Sequence, residues 1–307
     1  MKLKKRIVIF GNQQAAIDCA RWIGGLKKIE LVAFVGCERP RDKEYGYPSV
    51  RTFCKNDNIP FYQPEQLDDA FFSLFESWRP ELCLSIYYRN IFSKKFLNVP
   101  LMGFINLHPS LLPKYRGAMP TLWAQFNGEK TVGITLHHID EGIDSGDIIT
   151  QKEYKLPRNI TGYELHTHLM QVGVKMIKRY FFQLLKHNAP RIRQHHADAS
   201  YYSAFNPNLR TIDWFSSSDR ILSRMRALTR PYDGAITHLQ GKNVIFWKAR
   251  KYRLSKHNLK QPGKIIRVFK DGSFIVSCVD GFLHITDFTT QRTLPRGESI
   301  ALGAKFR

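Results

Sequence analysis

Apolar residues in the first half of the chain fall into short unbroken runs separated by stretches of helical spacing. Arg6–Phe10 is a β-rich run that stops at Gly11. Ala16, Ala20 and Ile23 then recur at helical spacing, predicting a helix from Gln14 to about Leu26, and Ile29–Val35 is a second run ending at Gly36. Strand, helix, strand is the opening of a parallel sheet. Further along, Glu38–Pro48 reads as a Pro- and charge-rich loop, Val50–Asn56 as a helix, Ile59–Phe61 as a short strand and Leu67–Glu76 as a helix. Pro80–Tyr87 and Met102–Asn106 read as buried strands, and Thr131–Ile139 as a strand that Ile148–Tyr154 can pair with. The longest helical pattern is Thr161–Leu185, opened by a Thr161/Glu164 capping box.

After Pro190 the texture changes. Ile192–Ala199 is basic and His-rich, and Asp219–Leu228 is a short amphipathic helix. Runs at Ala235–Leu239, Val244–Lys248, Gly263–Phe269, Phe274–Val279 and Phe282–Asp287 are divided by turns, including Asp271-Gly272 and Asp280-Gly281. Asp-Gly between β-rich runs is a hairpin signal. The expected fold is α/β: a Rossmann-like, mostly parallel sheet with helices on both faces, followed by a small β-barrel-like (OB-like) domain. The expected boundaries are 1–190 for the catalytic domain, 191–204 for a linker and 205–307 for the C-terminal domain.

Composition narrows the class. The 307 residues are 43% hydrophobic and 24% charged, which excludes disordered and low-complexity proteins. No apolar stretch approaches the length of a membrane span, and the apolar run after the basic N-terminus is too short for a signal-peptide core. A cytoplasmic protein is expected. Cys19, Cys37, Cys54, Cys83 and Cys278 are widely spaced with no CxxC pair, as in reduced buried thiols. The formal charge is +21, and residues 201–307 hold 19 basic against 7 acidic side chains. Such a balance favours anionic partners such as nucleic acid, a nucleotide-linked metabolite, a polyglutamate tail or an acidic membrane surface, without choosing among them.

Candidate chemistry gathers in two segments. Asn106 and His108 stand two apart at the end of a predicted strand, so their side chains share a face where parallel sheets place ligands. An amide donor can stabilise an oxyanion and an imidazole can manage a proton, a pair suited to acyl transfer. No Ser, Cys or Thr lies in a nucleophile-elbow context, which points to direct attack by a substrate amine. Taken alone, Asn-x-His reads more readily as a strand-end Asn and His that merely cap a turn. Asp140, Asp144 and Asp147 cluster in a Gly-containing loop, and one of them could orient the imidazole. The first turn, Gly11-Asn-Gln-Gln14, lacks the G-x-G-x-x-G fingerprint, and a P-loop is absent. His137-His138, His166-x-His168 and His195-His196 have no carboxylate at a zinc-protease spacing, so no metal site is expected. Trp247–Arg253 interleaves aromatics and cations but reads as a strand with a solvated basic face.

Asn106-x-His108, then Ser110-Leu-Leu-Pro-Lys-Tyr-Arg-Gly117, then Asp144 thirty-six residues after His108, resemble the 10-formyltetrahydrofolate-dependent formyltransferases over essentially the whole chain. Ile212-Asp-Trp214, Pro231-Tyr-Asp-Gly-Ala235 and Val244-Ile-Phe-Trp-Lys248 resemble that family's C-terminal barrel. Tyr45-Gly-Tyr-Pro-Ser-Val50 and Ser85-x-Tyr87-Tyr-Arg89 look like the formyltransferase half of the bifunctional polymyxin-resistance enzyme, which acts on UDP-4-amino-4-deoxy-L-arabinose, although Ala118 replaces an Arg there. The nearest class is therefore the nucleotide-sugar N-formyltransferases. Methionyl-tRNA formyltransferase, with tRNA as partner, and formylation of a small amine such as hydroxyornithine are the alternatives, and a homodimer is left open. The resemblance implies 10-formyltetrahydrofolate as co-substrate and no metal. It implies that Asn106 holds the oxyanion, His108 handles protons and Asp144 raises the pKa of His108. Main chain of Asn90, Ile91 and Phe92, and of Asp140, Glu141, Gly142, Ile143 and Asp144, would clasp the pterin. Ser110, Leu111, Leu112 and Pro113 would lie along the cleft floor.

Overall fold

The computed structural model describes residues 4–254, 261–290 and 300–306. The chain forms two compact units. One comprises Met1–Pro120, Thr131–Tyr154 and His166–Ser203, the other Thr121–Lys130, Lys155–Leu165 and Ala204–Arg307.

The first unit is built on a seven-stranded sheet. Its strands are β1 (Lys5–Gly11), β2 (Ile29–Gly36), β3 (Phe61–Tyr62), β4 (Leu82–Ile86), β5 (Phe104–His108), β7 (Thr131–His138) and β8 (Ile148–Lys155); β6 (Arg116–Gly117) lies outside it, and the order is β3-β2-β1-β4-β5-β7-β8. β1 to β5 pair in parallel, whereas β7 runs antiparallel to β5. Connections are α1 (Gln13–Gly24), α2 (Pro40–Glu44), α3 (Val50–Asn56), α4 (Asp69–Ser77), α5 (Lys94–Leu97), α6 (Pro120–Phe126) and α7 (Gly162–Leu184). Along β1, Val8 and Phe10 join Phe71 and Phe75 of α4, Phe96 of α5 and Phe104 of β5 in an aromatic core. Leu107, which alternation turns to the opposite face, meets α7 at Gly173, where an added Cβ would stand 2.4 Å from a Leu107 methyl. Helices thus cover both faces. Thr161 and Glu164 close the capping box that opens α7.

The expected loop over Glu38–Pro48 contains α2, whose N3 carboxylate, Asp42, accepts from the Arg39 backbone N–H at 2.8 Å. Of residues 191–204, expected as a linker, 191–203 fall within the first unit. Ile192 exchanges backbone hydrogen bonds with Ile148 at 2.8 and 2.9 Å, and β9 (Tyr201–Tyr202) pairs with β6. The segment reads as a linker because Arg191, Arg193 and His195 point outward, while its backbone and Gln194 are bonded inward.

In the second unit, α8 (Ser218–Leu228) accompanies β10 (Ala235–Leu239), β11 (Lys242–Tyr252), β12 (Ile265–Val268), β13 (Phe274–Ser277) and β14 (Phe282–Thr290). The strands form an antiparallel sheet, order β10-β11-β14-β13-β12, consistent with a small barrel. Its core holds Trp214, Phe246, Phe274 and Phe306, together with Leu122 and Phe126 from α6.

Candidate active site

β5 and β7 place the candidate residues. Their register sets Asn106 opposite His137 and His108 opposite Thr135, and directly opposed residues share a face of an antiparallel pair. The Asn106 amide Nδ2 donates to His137 Nε2 at 3.0 Å and to Asp144 Oδ1 at 3.2 Å. His137 can accept there because its Nδ1 is engaged with the His138 carbonyl at 2.7 Å, which places the ring proton on Nδ1. His108 Nε2 meets the Tyr115 carbonyl at 2.8 Å, so its proton sits on Nε2 and its Nδ1 lone pair faces Asp144 Oδ2, 3.5 Å away.

Asp144 is brought to this pair by a strained loop and a glycine. Its backbone lies in the left-handed region, φ 49°, a conformation that costs free energy and persists only where neighbours impose it. Oδ2 accepts from the Gly117 N–H at 2.8 Å. Gly117 itself has φ 96°, and a Cβ there would stand 2.3 Å from the Tyr202 carbonyl, so no other residue fits. From behind, the Gln194 amide donates to the carbonyls of Asp144 at 2.8 Å and Gly146 at 2.7 Å. Gln194 Oε1 accepts from Arg116 Nη2 at 2.6 Å. Arg116 is fully buried among neutral partners, with Tyr201 OH 2.6 Å from Nη1.

Burial by itself would raise the carboxyl pKa of Asp144, but His108, His137 and the Gly117 N–H hold it well below the usual carboxylate range. Burial pushes His108 below the ordinary imidazole value, and Asp144 pulls the other way without overcoming it. Asp144 raises the His108 pKa as expected, but the loss of solvation on burial is the larger effect. His108 is a neutral base at neutral pH, and the ion that it forms on accepting a proton at Nδ1 lies beside a permanent carboxylate. An amide donor bonded to a carboxylate, with a neutral imidazole 3.5 Å from that carboxylate, is an arrangement that can serve acyl transfer without a protein nucleophile.

Residues 32–180 match the formyl transferase family, and residues 205–296 match the formyl transferase C-terminal domain. Methionyl-tRNA formyltransferase of Clostridioides difficile (strain 630) is 34% identical over 285 residues, covering 92% of this chain and 91% of that protein. The chain belongs to the formyl transferase family. This formyltransferase is also 33% identical over 240 residues to the bifunctional polymyxin resistance protein ArnA of Wigglesworthia glossinidia brevipalpis, covering 78% of this chain and 36% of that protein. In fold it is similar to the N-formyltransferase of Helicobacter canadensis, solved with folinic acid and dTDP-3-aminofucose: TM-score 0.72 at 21% identity, over 92% of this chain and 99% of that one.

The remaining residues expected at the site fall into distinct settings. Ile91 is 75% exposed, whereas Phe92 is buried against Phe10 and Phe104; the Asn90 amide lies 3.5 Å from Tyr88 OH. Ser110 and Leu112 are buried, and the Ser110 hydroxyl donates to the Lys114 carbonyl at 2.7 Å. They form the framework of the turn, leaving Leu111 and Pro113 as its partly exposed members. In the acidic loop, Asp140 Oδ1 accepts from the Gly142 N–H and the Ser145 hydroxyl, at 3.1 and 2.6 Å. Glu141 pairs with Lys94 at 2.8 Å, and Ile143 is 51% exposed. Asp147 pairs with Arg191, away from His108.

Several functional residues escape sequence reasoning. The sequence presents His137 as a metal-ligand candidate; its i, i+2 relation to Thr135 on a strand is the signal that places it beside Asn106 and His108. Thr135 is completely buried, and its hydroxyl donates to the Ser110 carbonyl at 2.6 Å and accepts from the Leu112 N–H at 3.3 Å. Arg116 lies in the Ser110–Gly117 motif, but its partner Gln194 carries no local signal, because the two are 78 positions apart in the chain. Among the described residues no group of three or more His, Cys, Asp or Glu could hold a metal ion, and no helix is long and apolar enough to cross a membrane.

Proposed function

We propose that this protein transfers the formyl group of 10-formyltetrahydrofolate to the amine of a nucleotide-linked amino sugar. The observation that carries the chemistry is the Asn106–His108–Asp144 cluster, in which the Asn106 amide donates to Asp144 at 3.2 Å and His108 Nδ1 lies 3.5 Å from the same carboxylate. The two loops assigned to the pterin each present an exposed aliphatic side chain, Ile91 and Ile143, a surface suited to a flat, partly apolar ring. Asn106 receives the negative charge that grows on the formyl oxygen as the amine attacks. For this it redirects one N–H, and the bond to Asp144 Oδ1 at 3.2 Å is the longer of its two. His108 accepts the proton shed by the attacking amine at Nδ1, beside Asp144, and returns it to the leaving nitrogen of the folate. A well-placed donor at the oxyanion contributes about 3–4 kcal/mol elsewhere.

The acceptor class rests on the first turn, Gly11-Asn-Gln-Gln-Ala-Ala16, and on the Tyr45–Val50 and Ser85–Arg89 segments. These resemble the polymyxin-resistance formyltransferase more than the methionyl-tRNA enzymes. A second reading, methionyl-tRNA formylation, is favoured by the extent of the match to the Clostridioides difficile enzyme and by the basic excess after residue 200. Formyl transfer is to be assayed in parallel with UDP-, GDP- and dTDP-linked 4-amino sugars and with initiator methionyl-tRNA. Tetrahydrofolate release with one sugar and not with tRNA is expected. Release with tRNA alone would refute the sugar reading.

A further inference from the structure

One strand away from His108, a second polar network is built at the same edge of the sheet. β4 pairs with β5 up to Ile86 opposite Leu107, so Tyr87 stands level with His108. β1 pairs with β4 up to Gly11 opposite Ile86, so Asn12 and Gln13 follow directly alongside. Gln13 and Tyr87 both lie in the left-handed region, at φ 65° and 59°. For side chains of this size such backbone is uncommon, and two neighbouring instances beside a reaction centre indicate a conformation kept for use.

His166, from α7, joins them. Its Nε2 lies 2.7 Å from Gln13 Oε1, and its Nδ1 lies 3.2 Å from Tyr87 OH. Burial pushes His166 down to about 4, so the ring is neutral: Nε2–H donates to Gln13, and Nδ1 accepts from Tyr87. A chain of two hydrogen bonds therefore fixes the Gln13 carbonyl inward and turns its NH2 group the other way. Gln13 is only 7% exposed, but its NH2 nitrogen, which donates to no described residue, stays open to solvent. A ligand oxygen can take the place of solvent at this donor. The neighbouring charge is already engaged. Asp42 takes both Arg89 nitrogens, at 2.6 and 3.1 Å, the Asn12 amide at 2.8 Å and the Arg39 N–H at 2.8 Å. Gln13 thus presents an uncharged donor, suited to an oxygen lone pair and not to an ammonium group.

We infer that Gln13 grips an oxygen of the amine-bearing substrate, close to its reacting nitrogen, and that His166 and Tyr87 are positioning residues that hold Gln13 in that orientation. The inference rests on the formyl-transfer reading of this edge. An oxygen-rich amine such as an amino sugar meets the requirement, and a bare alkylamine does not.

The test is Gln13→Glu, which keeps an acceptor for His166 and removes the donor. With whichever amine the wild-type enzyme formylates, kcat/KM for that amine should fall at least 10-fold, mostly through KM, while KM for 10-formyltetrahydrofolate stays within twofold. His166→Phe should raise the amine KM in the same direction. His166→Gln, whose amide can still donate to Gln13, should recover part of the loss. An amine kcat/KM unchanged in Gln13→Glu, with the wild type active, overturns this inference and leaves formyl transfer standing. A wild-type enzyme inert toward every amine overturns both. Independently of turnover and of how the variants fold, nitrogen NMR of the wild-type protein should find His166 protonated at Nε2. A proton on Nδ1 would mean that the Gln13 amide is reversed and would refute the inference.

Discussion

Thr135→Val is a near-isosteric change at a fully buried position, and its cost follows from the bonds that the hydroxyl makes. Oγ1 donates to the Ser110 carbonyl at 2.6 Å and accepts from the Leu112 N–H at 3.3 Å and the Gln151 amide at 2.9 Å. Gln151 keeps a second bond, to the Leu112 carbonyl at 2.8 Å, so it is not stranded. Two buried backbone groups of the turn after β5 are left without partners, each costing about 1–3 kcal/mol. Allowing some relaxation, the variant should lose about 3 kcal/mol of stability. Thr135→Ser keeps the hydroxyl and removes one buried methyl, a loss of about 1 kcal/mol. Urea unfolding of wild type and both variants, read beside affinity for a folate analogue, separates the two contributions. Thr135→Val should be the less stable variant and the weaker folate binder, because Ser110–Pro113 loses its anchor. If Thr135→Ser costs as much as Thr135→Val, the hydroxyl is not what holds the turn, and the reasoning fails.

Three further outcomes are expected. His108→Ala and Asn106→Ala should each abolish nearly all turnover while circular dichroism shows an intact fold; wild-type kcat in either would exclude that residue from the chemistry. Asp144→Asn removes the pull that opposes burial at His108, so the His108 pKa should fall further and the acid limb of kcat/KM should move to lower pH, with severe loss of activity; a limb that stays put or moves up would contradict the assigned electrostatics. Acid stability should report His166. Its folded pKa of about 4 lies below the ordinary 6.5, so the unfolded chain binds the extra proton. Its neutral form contributes full stability above pH 6.5, and this is lost progressively as pH falls toward 4. The urea midpoint of wild type should drop more between pH 7 and 5 than that of His166→Gln, and equal drops would refute the assignment.

Much of this fold is visible in local patterns because local patterns caused it. Val50–Asn56 is helical as its periodicity and the Ser49 cap require, with the Ser49 hydroxyl accepting from the Thr52 N–H at 3.1 Å. Asn106 and His108 share a face because strand alternation leaves no alternative. What stayed hidden is what depends on partners distant in sequence. Asp42 is unremarkable in sequence, and it caps α2 only because Arg89 and Asn12 arrive from other strand ends. The 191–203 segment has a basic, linker-like composition, because its inward-bonded parts are backbone and a single Gln. The pull of Asp144 on His108 is legible in the motif, whereas the depth of burial that outweighs it belongs to the whole unit.

The chain enters the second unit twice, at Thr121–Lys130 and Lys155–Leu165, before passing into it for good at Ala204. Leu122 and Phe126, from the first excursion, share a core with Ile212, Trp214 and Phe246. The two units are therefore stitched rather than strung. A gene cut or fused at residue 204 would leave two orphaned segments in one product and an incompletely filled core in the other. Any chimera that exchanges the C-terminal unit with a relative's must carry three stretches of sequence together. In descent, the stretches flanking β7 and β8 are bound to change in step with a sheet that begins at Ala235, far along the chain from both.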